Sequence, residues 1–434
     1  MRYIITALTV ALLGGGFFLA YQKNSIEILP ISPGTATTSS VLAGTSSVVV
    51  APSDNRINSA SFTDIENQKP LPNPPAVIKG VYATGYSAGS MKKVDYLIDL
   101  IKNSELNAVV IDIKDYSGYV LYDIQNADVT RYHTKEVQIS RVNQVIKKFH
   151  DAGIYVIARQ TVFQDPVLAK ARPDLALKNI RGLATSTPIS EAPVWHDNKG
   201  LAWMDPASKE VWDYNVAITK DAAARGFDEV NFDYIRFASD GSLGNIGYPF
   251  YNPKTTLKLT VLRDFFKYLR EQTPGIVISA DLFGLTTVNN DDLGIGQTLV
   301  SAAEFFDYVS PMVYPSHYAS GFIGYKNPAS YPYEVVKYSM EKAKEKLMTK
   351  PLTHIVTSES GATSTVTDVA TPKYHAKLRP WLQDFNLGAT YDAAKVRAQI
   401  TAVLETLQNT PLYDGWLLWN PSNVYTQAAL NSKQ

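Results

Sequence analysis

Hydrophobic and polar positions follow two different periods along the chain. Short apolar runs rich in β-branched and aromatic residues are typical of strands, whereas apolar residues recurring every three or four positions are typical of helices. Residues 91–102, for example, place Val94, Leu97 and Ile101 on one helical face. The short runs predict eight strands, at residues 77–83, 107–113, 154–159, 227–233, 276–281, 308–313, 380–385 and 415–419. The amphipathic stretches predict helices at residues 91–102, 140–150, 211–224, 257–269, 333–347 and 396–407.

Strands that alternate with helices predict parallel strands joined by right-handed crossovers, and eight such units close into a barrel. We therefore predict an α/β fold, a (β/α)8 TIM barrel, over residues 77–434. A Rossmann fold is the weaker alternative, because no Gly-x-Gly-x-x-Gly follows a predicted strand. One spare strand-like run, at residues 352–357, leaves another topology open.

An uncharged apolar stretch occupies residues 3–21, between Arg2 and Lys23. It predicts a membrane-directing segment over residues 1–22. A cleaved signal peptide is the alternative, but the best cleavage position has Phe18 where a small residue is preferred. We therefore favour an uncleaved signal anchor, which predicts a single-pass cell-membrane protein with an extracytoplasmic domain, or a secreted protein if the signal is cleaved.

Residues 23–76 are rich in Ser, Thr, Pro, Asn and Gly and show neither helical nor strand periodicity. Such a composition buries too little apolar surface to offset the entropy of ordering. The sequence therefore predicts a disordered linker, extended by its prolines, between the membrane segment and the barrel.

Charge and composition exclude several classes of function. The 434 residues include 41 basic and 41 acidic side chains, and a formal net charge of zero gives no electrostatic footprint for nucleic acid. The absence of cysteine excludes disulfides, a cysteine nucleophile and thiolate metal sites. The six histidines lack His-x-x-x-His and His-Glu-x-x-His spacings, so we predict no metal centre.

The fourth predicted strand carries a polar residue at every second position. Glu229, Asn231 and Asp233 would point to one face, and the apolar residues between them to the other. Burying the three polar groups unpaired would cost roughly several kcal/mol in total. They therefore either pair with each other and with Arg159 or Arg236, or line a wet pocket.

Further carboxylates lie at neighbouring strand ends, where a TIM barrel builds its active site. Asp281 ends the fifth predicted strand, with Ser279 on the same face, and Asp112 is near the end of the second. Adjacent strands lie about 4.8 Å apart, so Asp233 and Asp281 could reach the ~5 to 5.5 Å separation of a retaining glycosidase pair. The basic residues near the same rim are Lys114, Arg159 and Arg236.

Two interpretations of these acids remain open. Burial and mutual repulsion can split the pKa values of two carboxyl groups, so that one donates a proton while the other stays ionised. Alternatively, the acids form salt bridges with the three basic residues across the barrel mouth. On the first interpretation, the candidate catalytic residues are Asp233, Asp281 and Asp112.

Aromatic side chains near the predicted mouth are candidates for stacking on sugar rings, although most of them are expected in the core. They are Trp195, Trp203, Tyr314, Tyr318, Trp381 and Trp419. His317, just past the sixth strand, is a candidate for binding a substrate hydroxyl. The predicted substrate-binding residues are Asn231, Arg159, Lys114, Arg236, Trp203, Tyr314, His317 and Trp419.

Seven ordered motifs resemble a known family. They are GVYATGYSAGS at residues 80–90, AVVIDIKDYSG at 108–118, GFDEVNFDYIRF at 226–237, SADLFG at 279–284, DDLGIGQ at 291–297, VSPMVYPSHY at 309–318 and RPWLQDF at 379–385. Over nearly all of residues 77–425 the sequence is similar to the bacterial putative glycosyl hydrolase domain family, once catalogued as a domain of unknown function.

This resemblance implies a glycosidase-type TIM barrel, distantly related to the alpha-amylase-like clans. In those enzymes an Asp ending the fourth strand is the nucleophile, and an acid at the end of the fifth strand donates a proton. Asp233 matches the first role. Asp281 matches the second, although the alpha-amylase pattern has Glu there. The family's Asp-Tyr-Ile-Arg-Phe-Pro run ends here in Ala238 instead of Pro.

The sequence therefore predicts an extracytoplasmic glycoside hydrolase that cleaves a cell-surface or environmental polysaccharide and needs no cofactor. Asp233 would attack the anomeric carbon or stabilise the oxocarbenium ion, and Asp281 would protonate the leaving oxygen. Asp112, Arg159 and Asn231 would orient both. The alternative is a non-catalytic carbohydrate-binding barrel tethered at the cell envelope. The expected partners are a polysaccharide or oligosaccharide and, through the N-terminal segment, the membrane.

Overall fold

The computed structural model describes residues 63–184, 186–350, 353–357, 363–367 and 370–433. The predicted membrane-directing segment, residues 1–22, lies outside the described residues, as does most of the predicted linker. Among the residues that are described, no helix has the length and apolar character needed to cross a bilayer.

Eight parallel strands close into a barrel, which confirms the predicted TIM barrel. The first strand pairs with both the second and the eighth, so the barrel sheet is continuous and a Rossmann fold is excluded. Each predicted strand is present, with ends shifted by at most two residues. The barrel strands are β1 (Ile78–Ala83), β2 (Ala108–Lys114), β3 (Tyr155–Thr161), β4 (Glu229–Asp233), β5 (Ile278–Phe283), β6 (Tyr308–Met312), β7 (Trp381–Gln383) and β8 (Gly415–Trp419).

Helices connect the strands and bury one apolar face each against the barrel. In Met91–Lys102 the buried side chains include Val94, Leu97 and Ile101, as the period of the sequence predicts. All six predicted helices are confirmed: Met91–Lys102, Val142–Asp151, Lys209–Ala224, Lys258–Gln272, Pro332–Leu347 and Ala393–Leu407. Shorter α-helices are Gly85–Gly89, Ala127–Arg131, Pro166–Ala171 and Leu299–Ala303. Short 3-10 segments are Ile189–Glu191, Leu243–Asn245, Gly284–Thr287, Pro315–His317, Phe322–Gly324, Pro328–Ser330 and Gln427–Ala429.

Several strands lie outside the closed barrel. Val120–Tyr122 pairs antiparallel with β2, and Lys135–Ile139 pairs in turn with Val120–Tyr122. The spare run predicted at 352–357 is the strand Thr353–Thr357, with residue 352 outside the described residues. It pairs with Thr363–Thr367 in a separate two-stranded sheet, so it does not change the barrel topology. The remaining short strands are Lys178–Asn179, Ile246–Gly247 and Lys377–Leu378.

The end of the predicted linker lies on the barrel. The carboxylate of Asp64 accepts hydrogen bonds from the backbone N–H groups of Asn143 (2.7 Å) and Gln144 (3.1 Å), at the start of a helix. The N–H of Leu71 donates to Asp228 (2.6 Å). A carboxylate at a helix start satisfies N–H groups that have no partner within the helix. This stretch therefore differs from the disordered linker predicted for it.

Candidate active site

The polar positions of β4 point into the barrel, as their period of two predicts. Asn231 lies level with Ser279 of β5. Its Nδ2 donates to Ser279 Oγ (3.0 Å) and to Asp281 Oδ1 (2.9 Å). Phe232, one position along, points outward and packs on Phe306, with ring centroids 6.1 Å apart. Parallel pairing of β4 with β5 therefore brings the predicted site residues of the two strands together.

One guanidinium joins the three predicted catalytic carboxylates. Arg159 on β3 donates from Nη1 to Asp112 Oδ1 (2.6 Å) and from Nη2 to Asp233 Oδ2. Its Nε lies 3.6 Å from Asp281 Oδ2. We call these four residues the carboxylate cluster, and each of them is at most 7% exposed. The salt-bridge interpretation is therefore correct for Arg159. If the acids are catalytic, they act while they are paired with this arginine.

Burial favours the protonated form of Asp281. Desolvation, followed by the charge of Asp233, raises the pKa of Asp281 to about 8, with Arg159 opposing the increase. The Oδ1 atom accepts hydrogen bonds from Asn231 (2.9 Å) and from Trp381 Nε1 (2.7 Å). A carboxyl group with this pKa holds its proton at neutral pH and can act as a general acid.

Asp233 is surrounded by donors that stabilise its negative charge. Arg159 donates to Oδ2, and the backbone N–H of Tyr234 donates to Oδ1 at 2.6 Å. Tyr234 has a left-handed φ of 54°, which is uncommon for a residue with a side chain. The chain therefore turns sharply directly after β4 at the point where Asp233 faces the cluster.

Asp112 completes the cluster on the side of β2. Burial raises the pKa of Asp112 to about 6, and Arg159 opposes that increase. Tyr82 Oη on β1 donates to Asp112 Oδ2 at 2.5 Å. The sequence analysis did not include Tyr82 among the site residues. Its position on the first strand, in a motif of the family, is the signal that could have found it.

Lys114 does not join the carboxylate cluster. Its ammonium is fully buried, pairs with Asp165 (2.8 Å) and donates to the carbonyl of Thr161 (2.9 Å). The pairing register of β2 shifts between Asp112 and Lys114, which interrupts the period of two. The structure therefore gives Lys114 a buried ion pair in place of the predicted contact with substrate.

Arg236 follows β4 and has no carboxylate partner in the part of the chain that the structure describes. Within the described residues it forms no ion pair, so the salt-bridge interpretation is wrong for it. Its Nη1 donates to Phe237 O (3.1 Å) and to Ser239 Oγ (3.0 Å). The guanidinium lies 4.7 Å from the ring centroid of Trp203 and 4.8 Å from that of Phe283, which ends β5. Its predicted contact with substrate stays a prediction.

Trp419 lies beside the carboxylate cluster at the end of β8. Its ring stacks on Tyr82, with centroids 3.7 Å apart, and meets the edge of Trp381 at 5.4 Å. The guanidinium of Arg159 lies 5.0 Å from the Trp419 centroid. Because Trp419 is only partly buried, it offers aromatic surface next to the acids.

Trp203 is a core residue. Its side chain is 0% exposed, and its Nε1 donates to Asp197 Oδ2 at 3.0 Å. Trp195, the other tryptophan of that insertion, is 1% exposed. The structure therefore leaves neither ring free surface for stacking on a sugar, and the predicted role of Trp203 is replaced by a packing role.

Tyr314 and His317 follow β6, with Tyr314 near the carboxylate cluster and His317 beside Tyr314. The Tyr314 hydroxyl is buried and has no hydrogen-bond partner in the described part of the chain. The charges of Asp281 and Asp233 contribute to raising the pKa of Tyr314, after burial. Burial also lowers the pKa of His317 to about 4, so its imidazole is neutral at pH 7. Both residues can therefore offer neutral polar groups to a ligand.

A second charged group lies at the opposite end of the barrel interior. Arg379 Nη1 donates to both carboxylate oxygens of Glu229 at 3.0 Å, and its Nη2 donates to Asp414 at 2.7 Å. Ser279 Oγ donates to Glu229 Oε1 at 2.5 Å. We call Glu229, Arg379 and Asp414 the lower charged layer, since they lie at the N-terminal ends of β4, β7 and β8. Sequence reasoning placed Glu229 inside the barrel but missed Arg379.

The described side chains form no evident metal centre. No group of three or more His, Asp or Glu residues in this part of the chain is suited to hold a metal ion. In the carboxylate cluster the positive charge facing the three acids is the guanidinium of Arg159.

Residues 80–425 match the family described as "Putative glycosyl hydrolase domain". The chain belongs to this family. The matched residues contain the entire carboxylate cluster and the lower charged layer, and the match confirms the resemblance seen in the motifs. No curated protein matches the chain.

Solved structures that match the chain include the following three proteins. A hypothetical protein from Ruminiclostridium thermocellum ATCC 27405 is 36% identical over 50% of this chain and 98% of its own, with a TM-score of 0.42. Alpha-L-fucosidase isoenzyme 2 from Paenibacillus thiaminolyticus is 12% identical over 82% of this chain and 48% of its own, with a TM-score of 0.46. The spore cortex-lytic enzyme SleL from Bacillus cereus is 9% identical over 82% and 74%, with a TM-score of 0.41. The family assignment rests on the match over residues 80–425.

Proposed function

We propose that the barrel is a glycoside hydrolase that cleaves a cell-surface or extracellular polysaccharide through two carboxyl groups. One observation carries the proposal: Asp281, with its pKa raised to about 8, and Asp233, held by an arginine, face the same guanidinium. Cleavage of an acetal by this route needs one protonated and one ionised carboxyl group. Membership of the glycosyl hydrolase family supports the same reaction.

The two carboxyl groups would act in sequence. Asp281 transfers its proton to the glycosidic oxygen while the bond from that oxygen to the anomeric carbon breaks, and the leaving group departs as an alcohol. Asp233 bonds to the anomeric carbon or stabilises the oxocarbenium ion. Water then adds to that carbon and returns a proton to Asp281, and Asp233 is released as a carboxylate.

Arg159 would orient Asp233 for this step. Arg159 donates to Oδ2 of Asp233. The other oxygen, Oδ1, is therefore available to the substrate, and among the described residues it accepts a hydrogen bond only from the Tyr234 N–H. Asp112 and Tyr82 hold the opposite end of the guanidinium through a buried chain of hydrogen bonds. Arg159 also neutralises part of the negative charge of Asp233, which weakens nucleophilic attack and electrostatic stabilisation of the oxocarbenium ion alike, so both roles of Asp233 stay open.

The substrate would stack on Trp419, which is partly exposed beside the acids. We also propose that the barrel works outside the cytoplasm at the cell membrane. Support comes from the sequence, in which residues 3–21 form an uncharged apolar stretch.

A non-catalytic carbohydrate-binding barrel is the second candidate. It is favoured by the ion pairs of Asp112 and Asp233 with Arg159, because these pairs neutralise part of the negative charge that catalysis would use. The aromatic surface of Trp419 would serve binding and cleavage equally well.

Release of reducing ends from a panel of polysaccharides distinguishes the two candidates. We expect cleavage by the wild type, and loss of cleavage with retained binding in Asp233→Asn and Asp281→Asn. Asp151→Asn, which changes an exposed carboxylate paired with Lys147, serves as the control and should cleave normally. If the wild type binds a glycan and releases no reducing ends from any member of the panel, the hydrolase proposal fails and the binding function replaces it.

A further inference from the structure

A chain of hydrogen bonds connects the lower charged layer to Asp281. Ser279 Oγ donates to Glu229 Oε1 (2.5 Å), and Asn231 Nδ2 donates to Ser279 Oγ (3.0 Å). The same Nδ2 donates its second hydrogen to Asp281 Oδ1 (2.9 Å). Two side chains on neighbouring strands, Ser279 and Asn231, thus lie between a buried ion pair and the candidate general acid.

Glu229 sets the direction of this chain. Its other partners are also donors, namely Arg379 Nη1 to both oxygens (3.0 Å) and the hydroxyl of Tyr155 to Oε2 (3.4 Å). Burial raises the pKa of Glu229 and Arg379 opposes that increase, and the contact of this guanidinium with both carboxyl oxygens favours the ionised form. Because a carboxylate only accepts hydrogen bonds, the Ser279 hydroxyl must donate to it.

The hydroxyl of Ser279 therefore presents only lone pairs to Asn231. If the Asn231 amide were reversed, its oxygen would meet an oxygen that has no proton left to offer. The amide orientation is thus forced by the hydrogen-bond network. In this orientation Asn231 Oδ1 is left without a hydrogen-bond partner in the described part of the chain.

This orientation decides which oxygen of Asp281 can carry a proton. The Oδ1 atom accepts from Asn231 and from Trp381 Nε1, and an indole N–H can only donate. Two donors occupy Oδ1, so the proton resides on Oδ2. Oδ2 lies 3.6 Å from Arg159 Nε, an atom without a hydrogen-bond partner among the described residues.

We propose that Glu229 and Ser279 are positioning residues that act through Asn231 to place the transferable proton of Asp281 on Oδ2. Glu229 is 1% and Ser279 0% exposed, so neither can touch a substrate. Only the description of this proton as the one transferred rests on the proposed function. Its location is a property of the free barrel and can be measured without a substrate.

Carboxyl carbon NMR of the full-length protein, with Asp281 assigned through Asp281→Asn, tests the proposal. In Ser279→Ala the Asn231 amide loses one of its two acceptors, so its remaining hydrogen bond to Asp281 Oδ1 is held less firmly. The hydrogen bond from Asn231 lowers the pKa of Asp281, so we expect the titration of Asp281 to move to higher pH. Ser279→Thr keeps a hydroxyl and should restore the wild-type titration.

Other groups that face Asp281 stay in place in these variants. They are Arg159 of β3, Asp233 of β4 and Tyr314 after β6. Ser104→Ala is the matched control, because Ser104 is also buried and its Oγ donates one hydrogen bond, to Leu100 O at 2.7 Å, outside the barrel interior. It should leave the Asp281 titration unchanged.

On a cleaved polysaccharide, we expect kcat of Ser279→Ala to fall about tenfold with KM nearly constant, because only the proton transfer is impaired. If Asp281 titrates identically in the wild type and Ser279→Ala, the positioning proposal is overturned. If the titration moves but the wild type cleaves no glycan, positioning stands and the hydrolase proposal fails.

The wild type alone provides a second test, should Ser279→Ala not fold. The Nδ2 protons of Asn231 should give nuclear Overhauser effects to the β protons of Ser279, because Nδ2 lies 3.0 Å from Ser279 Oγ in the proposed orientation. Absence of these effects would contradict that orientation, because the reversed amide places its oxygen next to Ser279.

Discussion

Both ends of the barrel interior contain an arginine that faces several acids, but the two groups have different roles. In the lower charged layer, Arg379 meets two acids, and both oxygens of Glu229 are occupied by donors. In the carboxylate cluster, Arg159 meets three acids, and nearby polar atoms remain without partners among the described residues, including Arg159 Nε, Asn231 Oδ1 and the Tyr314 hydroxyl. A satisfied network stabilises a fold, whereas unfilled hydrogen-bonding capacity beside excess acid is what a ligand site needs.

We expect the largest effect, a loss of stability, from a substitution in the lower charged layer. Arg379→Met would leave Glu229 buried without a counter-charge and Asp414 with only the longer pair to Lys377 (3.8 Å), and we expect the free energy of unfolding to fall by about 3–5 kcal/mol. Arg263→Met, which removes an arginine paired at the surface with Glu304, should cost only about 0–1 kcal/mol. Denaturant unfolding of both variants measures the difference. Equal, small losses would show that the lower layer is not the structural network.

Asp281→Asn should separate stability from activity. The native pKa of Asp281, about 8, is above its ordinary value, so the native state retains the proton longer than the unfolded chain. Wild-type stability from this group therefore declines as pH rises from about 4 to about 8. Asparagine does not titrate and keeps the same hydrogen bonds.

We thus expect Asp281→Asn to match the wild type near pH 4 and to exceed it by at least about 1 kcal/mol at pH 8, while glycan cleavage is lost. Urea unfolding across this range, with Asp151→Asn as control, measures the effect. A variant less stable than the wild type at pH 8 would show that Asp281 contributes as a structural anion.

Smaller effects are expected from Trp419, beside the acids, and Trp203, in the core. Trp419→Ala should weaken glycan binding by about tenfold, because it removes a partly exposed ring next to the acids. Trp203→Phe should leave the Kd of the glycan unchanged and lower stability by about 1 kcal/mol through loss of the bond to Asp197. Calorimetric binding and unfolding measurements check both. A larger binding loss in Trp203→Phe would reverse these assignments.

Tyr82→Phe should have the smallest effect. It removes one donor to Asp112, and the Tyr82 hydrogen bond lowers the pKa of that carboxyl group. We therefore expect Asp112 to titrate above its wild-type value of about 6, with a stability loss of about 1 kcal/mol. Carboxyl NMR follows the titration, and an unchanged value would mean that the hydroxyl does not bond to Asp112.

The barrel could be predicted because its signal is local. Each strand and helix has its own hydrophobic period, and alternation alone fixed the inward face of β4 and β5. The pairing of Asp112 and Asp233 with Arg159 was one of two open interpretations of the sequence, because the choice between them depends on side-chain geometry between three strands. The pattern wrongly placed Lys114 beside the predicted site, because the pairing register of β2 shifts just before this residue.

The contacts of residues 64–71 escaped prediction for another reason. Asp64 and Leu71 bind through capping and backbone hydrogen bonds, which leave no hydrophobic period in the sequence. Similarly, the sequence predicts both Trp203 and Trp419 near the mouth of the barrel and does not distinguish them. Only the packed structure shows that one is fully enclosed and the other partly open.

The pH dependence of polysaccharide cleavage tests the central claim most directly. Measured as kcat/KM from pH 5 to pH 10 at constant ionic strength, cleavage by the wild type should fall above about pH 8, as Asp281 loses the proton that it must donate. Cleavage that stays constant through pH 10, or that survives in Asp281→Asn with the same profile, would contradict the assignment of Asp281 as the general acid.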